Sequence, residues 1–243
     1  MHVVSGWRTD TGKVRTSNED NLFWNGIWIE NGKAAGRYQP EAERSFYVFA
    51  VCDGMGGERY GEVASMLAMR TLAAYDTPDL GLRFPAYIEE ANLAVCREME
   101  RRSVSHMGAA IAVMAVTEQR LAICNLGDCR IYRFDHEGLM QLSVDHRAEA
   151  PGIGKGVLTQ HLGIPEEEFL LEPFVRNDLK PEKDSIYLLC SDGLTDSVSE
   201  DQLEEIMRNG RQGPPQQLAD RLVAEALAGG GKDNVTAIVI MIR

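Results

Sequence analysis

The run Phe46-Tyr47-Val48-Phe49-Ala50-Val51-Cys52 stops abruptly at Asp53-Gly54-Met55-Gly56-Gly57. An unbroken apolar run this short, rich in aromatic and branched residues, predicts a strand buried on both faces. A carboxylate at the end of such a strand sits on a rigid support at the rim of the core. The glycines let the backbone turn sharply and come close to a ligand. Taken alone, the pattern equally describes any strand followed by a tight Asp-Gly turn. It does not stand alone. Ile186-Tyr187-Leu188-Leu189-Cys190-Ser191-Asp192-Gly193 repeats it, and Asn125-Leu126-Gly127-Asp128 and Lys232-Asp233-Asn234-Val235 place Asp near two further strand ends. Arg15-Thr16-Ser17-Asn18-Glu19-Asp20-Asn21 precedes another apolar segment. Five acidic strand ends point to a shared site, because clustered buried carboxylates repel one another unless a cation neutralises them.

The length of 243 residues admits one large domain or two small ones. No low-complexity linker divides the chain, so the expectation is a single domain over 1–243. A hydrophobic share of 44% supports a substantial core, and a net charge of −12 argues against nucleic-acid binding. No segment approaches a transmembrane span, and Met1-His2-Val3-Val4-Ser5-Gly6-Trp7-Arg8 lacks a signal-peptide apolar core. The five cysteines form no C-x-x-C pair and mostly lie in apolar runs. Reduced core thiols, a cytoplasmic location and no membrane insertion follow as expectations; a structural zinc site does not.

Along the chain, Val3 to Trp7 reads as a short strand and Leu22 to Ile29 as a hairpin around Asn25-Gly26. Glu30 to Arg44 reads as an exposed loop. Glu58 to Tyr75 is a helix ended by Asp76-Thr77-Pro78, and Phe84, Ile88, Ala91, Val95 and Met99 mark a second, amphipathic one. The period then changes: Ala109–Val116, Leu121–Asn125, Arg130–Phe134 and Leu139–Leu142 predict a β-meander. Val144 to Ile164 is glycine-rich and irregular, a candidate flap. Strands are predicted at Phe169–Val175 and Ser185–Cys190, and helices at Glu200–Asn209, capped by Ser199, and at Pro214–Ala228. Val235–Ile242 is the final buried strand.

Carboxylates, backbone carbonyls and water suit Mg²⁺ or Mn²⁺, and no histidine is spaced to join them as a ligand. Asp53 is placed to bridge two metals, Asp192 and Asp233 to complete one shell, and the Gly54 carbonyl to join the other. Two such ions, roughly 3.5–4 Å apart, deprotonate a bridging water and clamp a phosphoryl group. Arg15, beside Glu19 and Asp20, offers a guanidinium fork for phosphate; a surface cation is the competing reading. Gly152-Ile153-Gly154-Lys155-Gly156 and Gly229-Gly230-Gly231-Lys232 lack phosphate-loop spacing. Asn234-Val235-Thr236 fits a glycosylation pattern but reads better as strand entry beside Asp233.

In order, Arg15-x-x-Asn18-Glu19-Asp20, Val51-Cys52-Asp53-Gly54-Met55-Gly56-Gly57 with Gly61-Glu62-Val63-Ala64-Ser65, Gly127-Asp128-Cys129-Arg130, Asp145-His146, Leu158-Thr159-x-x-Leu162-Gly163, Ser191-Asp192-Gly193-Leu194-x-Asp196 and Gly231-x-Asp233-Asn234-Val235-Thr236 resemble the motifs of the PP2C (PPM) family of metal-dependent protein Ser/Thr phosphatases. The match runs from Gly6 to the C-terminus, and its compact form resembles the stand-alone bacterial branch. The resemblance implies an α+β fold, a central antiparallel β-sandwich flanked by helix pairs in α-β-β-α order. It implies two Mn²⁺ or Mg²⁺ ions held by Asp53, Gly54, Asp192 and Asp233, with Glu19 and Asp20 acting directly or through water. Arg15 would hold the phosphate. Asp128 and Asp196, with Asp192, match the positions of a third, weaker metal, and Ala148 to His161 matches the flap.

The chain also departs from that pattern. Gly108-Ala109-Ala110 stands where the family has Gly-Thr-Thr, removing two hydroxyls from a strand near the site. Met55 stands where animal-type members carry a histidine proposed as general acid; His146 is a weak substitute and reads rather as a structural turn residue. His161 stands where the flap has Arg. The expected function is hydrolysis of phosphoserine and phosphothreonine in proteins by a metal-activated water. Its partners would be phosphoproteins and a cognate bacterial Ser/Thr kinase, in type VI secretion or similar signalling. The alternatives are a non-catalytic phosphoprotein-binding module on the same fold, favoured by Ala109-Ala110 alone, and a hydrolase of small phosphate compounds.

Overall fold

The structure, a computed structural model, describes residues 2–29, 34–38 (backbone only), 44–55, 60–148, 157–165 and 169–243. In chain order the elements are β1 (Val3–Asp10), β2 (Asn21–Trp24), β3 (Ile27–Trp28), β4 (Ala34–Tyr38), β5 (Phe46–Met55), α1 (Gly61–Ala73), α2 (Leu80–Arg102), β6 (Gly108–Thr117), β7 (Leu121–Leu126), β8 (Arg130–Phe134) and β9 (Leu139–Gln141). There follow β10 (Arg147–Ala148), β11 (Val157–Leu158), β12 (Phe174–Leu179), β13 (Ile186–Cys190), α3 (Asp192–Thr195), α4 (Glu200–Gly210), α5 (Pro215–Ala228) and β14 (Val235–Ile242). Two six-stranded antiparallel sheets carry the fold, in the orders β12-β7-β6-β5-β2-β3 and β4-β1-β14-β13-β8-β9.

Three apolar layers follow from period-2 alternation along the strands. On β5, Val48, Ala50 and Cys52 pack with Met69, Leu72 and Phe84 of α1 and α2. Phe49 and Val51 face the other way, into a second layer with Ile131, Leu189 and Ile238 from the opposite sheet. A third layer joins Leu188, Cys190 and Val239 to Leu203, Leu222 and Val223 of α4 and α5. The order is therefore helix, sheet, sheet, helix, as expected, and β5 is buried on both faces.

Local signals act as anticipated at several ends. Asn25 (φ 51°) and Gly26 (φ 87°) turn the β2–β3 hairpin. Ser199 caps α4 in a reciprocal box with Gln202, and Pro215 opens α5 at a position where its missing N–H costs nothing. The cysteines are free thiols, all buried except the half-buried Cys96.

Some expectations need correction. The four strands from Gly108 onward are not one meander: β6 and β7 belong to one sheet, β8 and β9 to the other. The chain crosses between sheets at Gly127-Asp128-Cys129, with Gly127 at φ 97°. Within the expected 30–44 loop, 34–38 is an edge strand paired with β1; residues 30–33 and 39–43 lie outside the described residues. The strand expected at Phe169–Val175 begins only at Phe174. In the flap, Arg147–Ala148 pairs with Val157–Leu158, and 149–156 lie outside the described residues.

Candidate active site

β5 delivers Asp53 to the rim of the sandwich, opposite Ala110 of β6 in the ladder. Its carboxyl lies among other acids. Burial, the charges of Asp20 and Asp192, a hydrogen bond shared with Asp192 and the charge of Asp128 hold it well above the usual carboxylate range. Asp192 is the first residue of α3 rather than the last of a strand, and Asp233 sits in the turn before β14. Gly193, next to Asp192, has no room for a Cβ against the Asn234 carbonyl. The two acidic turns are thus backbone against backbone.

Asn234 ties the N-terminal acids to this place. Its Oδ1 accepts from the Glu19 N–H at 2.8 Å, and its Nδ2 donates to the carbonyls of Thr11 and Ser17, each at 2.9 Å. Glu19 is further held by Ser65 Oγ, which donates to its carbonyl at 2.6 Å. A Cβ on Gly61 would lie 2.7 Å from the Gly54 carbonyl oxygen and would strike the Glu19 carboxylate. The Gly54 carbonyl and the Glu19 carboxylate therefore flank one spot that only glycine leaves open. Burial, then the charge of Glu62, raises Glu19 above its ordinary range.

Asp20 is buried. Its Oδ2 accepts from Ser191 Oγ at 2.7 Å and Thr236 Oγ1 at 2.6 Å. Its Oδ1 is buried without a hydrogen-bond partner. Burial pushes the Asp20 carboxyl up to about 7; the two hydroxyls oppose this, and the charges of Asp192 and Asp233 add to it.

Two arginines meet these acids. Arg15 Nη2 pairs with Asp233 Oδ2 at 2.8 Å while its side chain stays half exposed, and that hydrogen bond raises its pKa first of all. Arg147 pairs with Asp128 and, at 3.1 Å, with Asp192. Asp196, Asp128 and Asp192 line a cavity of about 200 Å³ together with Arg147 and Arg130. His146 braces the Gly127 turn, accepting the Gly127 N–H at Nδ1 (3.2 Å) while its own N–H donates to the Gly127 carbonyl (2.9 Å). It is the structural turn residue the sequence indicates. His161 Nδ1 donates to the Leu162 carbonyl at 2.8 Å.

Among the described residues, no three His, Cys, Asp or Glu side chains form a ready ligand group for one ion. The donors nevertheless fit a hard cation: they are all oxygens, they are mutually repelling where buried, and Asp20 Oδ1 is left unsatisfied. Of the two alanines that replace Thr-Thr, Ala109 packs with the helix-side layer and Ala110 with the inter-sheet layer. Only Ala110 shares a face with Asp53. Sequence reasoning missed Arg147 and the hydroxyls of Thr9, Ser191 and Thr236. The signal for the last two was their place beside acids, in Ser191-Asp192 and Asp233-Asn234-x-Thr236.

The chain matches the family model "Stage II sporulation protein E (SpoIIE)" over residues 44–243. It is 30% identical to the serine/threonine phosphatase stp of Listeria monocytogenes serotype 4b, an alignment covering 99% of this chain and 95% of that one. The crystal structure of the Mycobacterium tuberculosis serine/threonine phosphatase PstP/Ppp superposes with a TM-score of 0.81 at 27% identity, covering 100% of both chains. A structure of the PstP catalytic domain in complex with two manganese ions superposes at 0.78 with 28% identity, again over 100% of both.

Proposed function

Because the chain belongs to the SpoIIE/PP2C-type family of phosphatases, we infer that it is a metal-dependent protein serine/threonine phosphatase that hydrolyses phosphoserine and phosphothreonine. The observation that carries this is the gathering of Asp20, Asp53, Asp192 and Asp233 from four separate segments into one mutually repelling group, with Arg15 on Asp233. Asp53 would contact both of a pair of Mn²⁺ or Mg²⁺ ions, Asp192 and Asp233 one, and the Gly54 carbonyl the other, with Glu19 and Asp20 beside them. Such ions, when bound, activate water and neutralise phosphoryl charge.

The chain's own groups have separate tasks. Arg15 is exposed enough to turn its fork from Asp233 to two phosphoryl oxygens, and it holds the substrate there. Asp20 Oδ2 is saturated by two hydroxyl donors, so Oδ1 is the oxygen that would help hold an ion, directly or through water. His146 Nδ1 is engaged with the Gly127 N–H and His161 Nδ1 with the Leu162 carbonyl, which supports a leaving-group proton drawn from water instead. The whole of 1–243 is read as one catalytic domain. Its partners would be phosphorylated proteins and the pathway of a cognate kinase, in the cytoplasm; no helix among the described residues is long and apolar enough to cross a membrane.

The binding-module alternative loses half of its support, because Ala109 faces the helices and only Ala110 shares a face with Asp53. The test is phosphate release from a phosphothreonine peptide with EDTA, Mg²⁺ and Mn²⁺ in parallel. Release that needs metal and disappears in Asp53→Asn and Asp192→Asn is expected. Metal-independent release, or unchanged release in either variant, would refute the assignment.

A further inference from the structure

Arg147 is a site cation to which the phosphatase reading, on which this inference rests, gives no role. Its guanidinium lies on the carboxylates of Asp128 and Asp192, at the wall of the cavity that Asp196 completes. The contact is set by the backbone. The His146 N–H donates to the Gly127 carbonyl at 2.9 Å, and the Thr159 N–H to the His146 carbonyl at 2.9 Å. Residue 147 is thereby pinned next to the turn that carries Asp128, and β10 pairs Arg147 with Leu158 across the hairpin. The cavity's other arginine, Arg130, is committed elsewhere. It forks onto Asp145 at 2.9 and 2.7 Å and donates to Tyr132 Oη at 2.8 Å.

Asp128 and Asp192 share the Arg147 guanidinium, and Asp196 lines the same cavity. A guanidinium supplies a positive charge, with a planar fork suited to carboxylates and no dependence on dissolved metal. We propose that Arg147 is the resident cation of the Asp128–Asp192–Asp196 group, standing in for a divalent ion, so that this chain works with two ions instead of three. Arg147 also links the base of the flap segment to Asp192, a residue of the two-ion site.

The experiment counts Mn²⁺ bound to the full chain by isothermal calorimetry and by electron paramagnetic resonance of free Mn²⁺. Wild type and Arg147→Lys, which keeps the charge, are expected to bind two ions. Arg147→Ala and the near-isosteric Arg147→Gln are expected to bind a third, at least about tenfold tighter than any third ion in wild type. The reason is that a unit positive charge within a few ångströms of the carboxylates has been removed. Adding Asp128→Asn to Arg147→Ala should return the count to two. Two ions in both wild type and the neutral variants would overturn the proposal, as would a third ion of equal affinity in all of them; both outcomes leave the phosphatase reading intact. A wild type that binds no Mn²⁺ and releases no phosphate overturns that reading and this proposal together.

Discussion

Thr236 gives its hydroxyl proton to Asp20 across 2.6 Å, and this fixes the direction of a buried chain of hydrogen bonds. With its proton committed, Thr236 Oγ1 must accept in its 2.8 Å contact with Thr9 Oγ1. Thr9 in turn accepts from Asn18 Nδ2 at 2.8 Å. Asp20 is thus held through Oδ2, with Oδ1 left over. Thr236→Val deletes a donor to a buried carboxylate and should destabilise the protein by about 1.5–3 kcal/mol. It should also raise the Mn²⁺ concentration for half-maximal activity. Thr236→Ser restores the hydroxyl and should recover both. Denaturant titration and metal-dependent kinetics of the two variants decide it; equal behaviour of Val and Ser would remove the hydroxyl from the account.

The places of Asp53, Asp192 and Asp233 at or just beyond strand ends were legible because strand periodicity and Asp-Gly turns are local, and local signals survive in one dimension. The α-β-β-α layering was legible through the family resemblance. The sheet change at Gly127 was not, because four short strands separated by turns look alike whether they stay in one sheet or cross to another. Arg147 escaped for a related reason: its partners Asp128 and Asp192 are 19 and 45 positions away. An arginine near an Asp-His pair carries no period that would mark it. The alanines at 109 and 110 read as two lost site hydroxyls, yet strand alternation turns one of them to the helices.

Gly193→Ala tests the backbone contact between the two acidic turns. Gly193 is helical, so its backbone angles would tolerate alanine. The added Cβ would strike the Asn234 carbonyl, which cannot move as a side chain end would. Overpacking of this kind costs about 1–3 kcal/mol. The displacement falls between Asp192 and Asp233, so kcat/KM should fall about 100-fold, a drop of the size a 1 Å misplacement produces. A variant that melts and turns over like wild type would show that the turns are not in contact.

Ala110→Thr, the reversion suggested by the family pattern, should not improve the enzyme. Ala110 is fully buried, and its Cβ lies 2.5 Å from where a Gly127 side chain would begin. Two extra heavy atoms would press on a turn already at φ 97°. The expected cost is about 1–3 kcal/mol, read from urea denaturation. Ala109→Thr on the helix-side layer should leave the metal dependence of activity unchanged, because that side chain does not face Asp53.

Asp53→Asn should move stability and activity in opposite directions. In the metal-free protein Asp53 is held against its charge by burial and by Asp20 and Asp192. Replacing it with a neutral amide of similar size relieves that repulsion, so the metal-free variant should melt above metal-free wild type. For a domain of 150–250 residues each kcal/mol relieved is worth about 2–4 °C. Saturating Mn²⁺ should reverse the order, since ligand binding to the native state stabilises by RT ln(1 + [L]/Kd) and the variant lacks the carboxylate proposed to serve both ions. Turnover of a phosphothreonine peptide should be abolished throughout. Thermal melts of both proteins with EDTA and with Mn²⁺ give the four values needed. A variant less stable than wild type under EDTA would mean that the carboxylate is satisfied by the protein alone, and the argument from mutual repulsion to a metal site would fail.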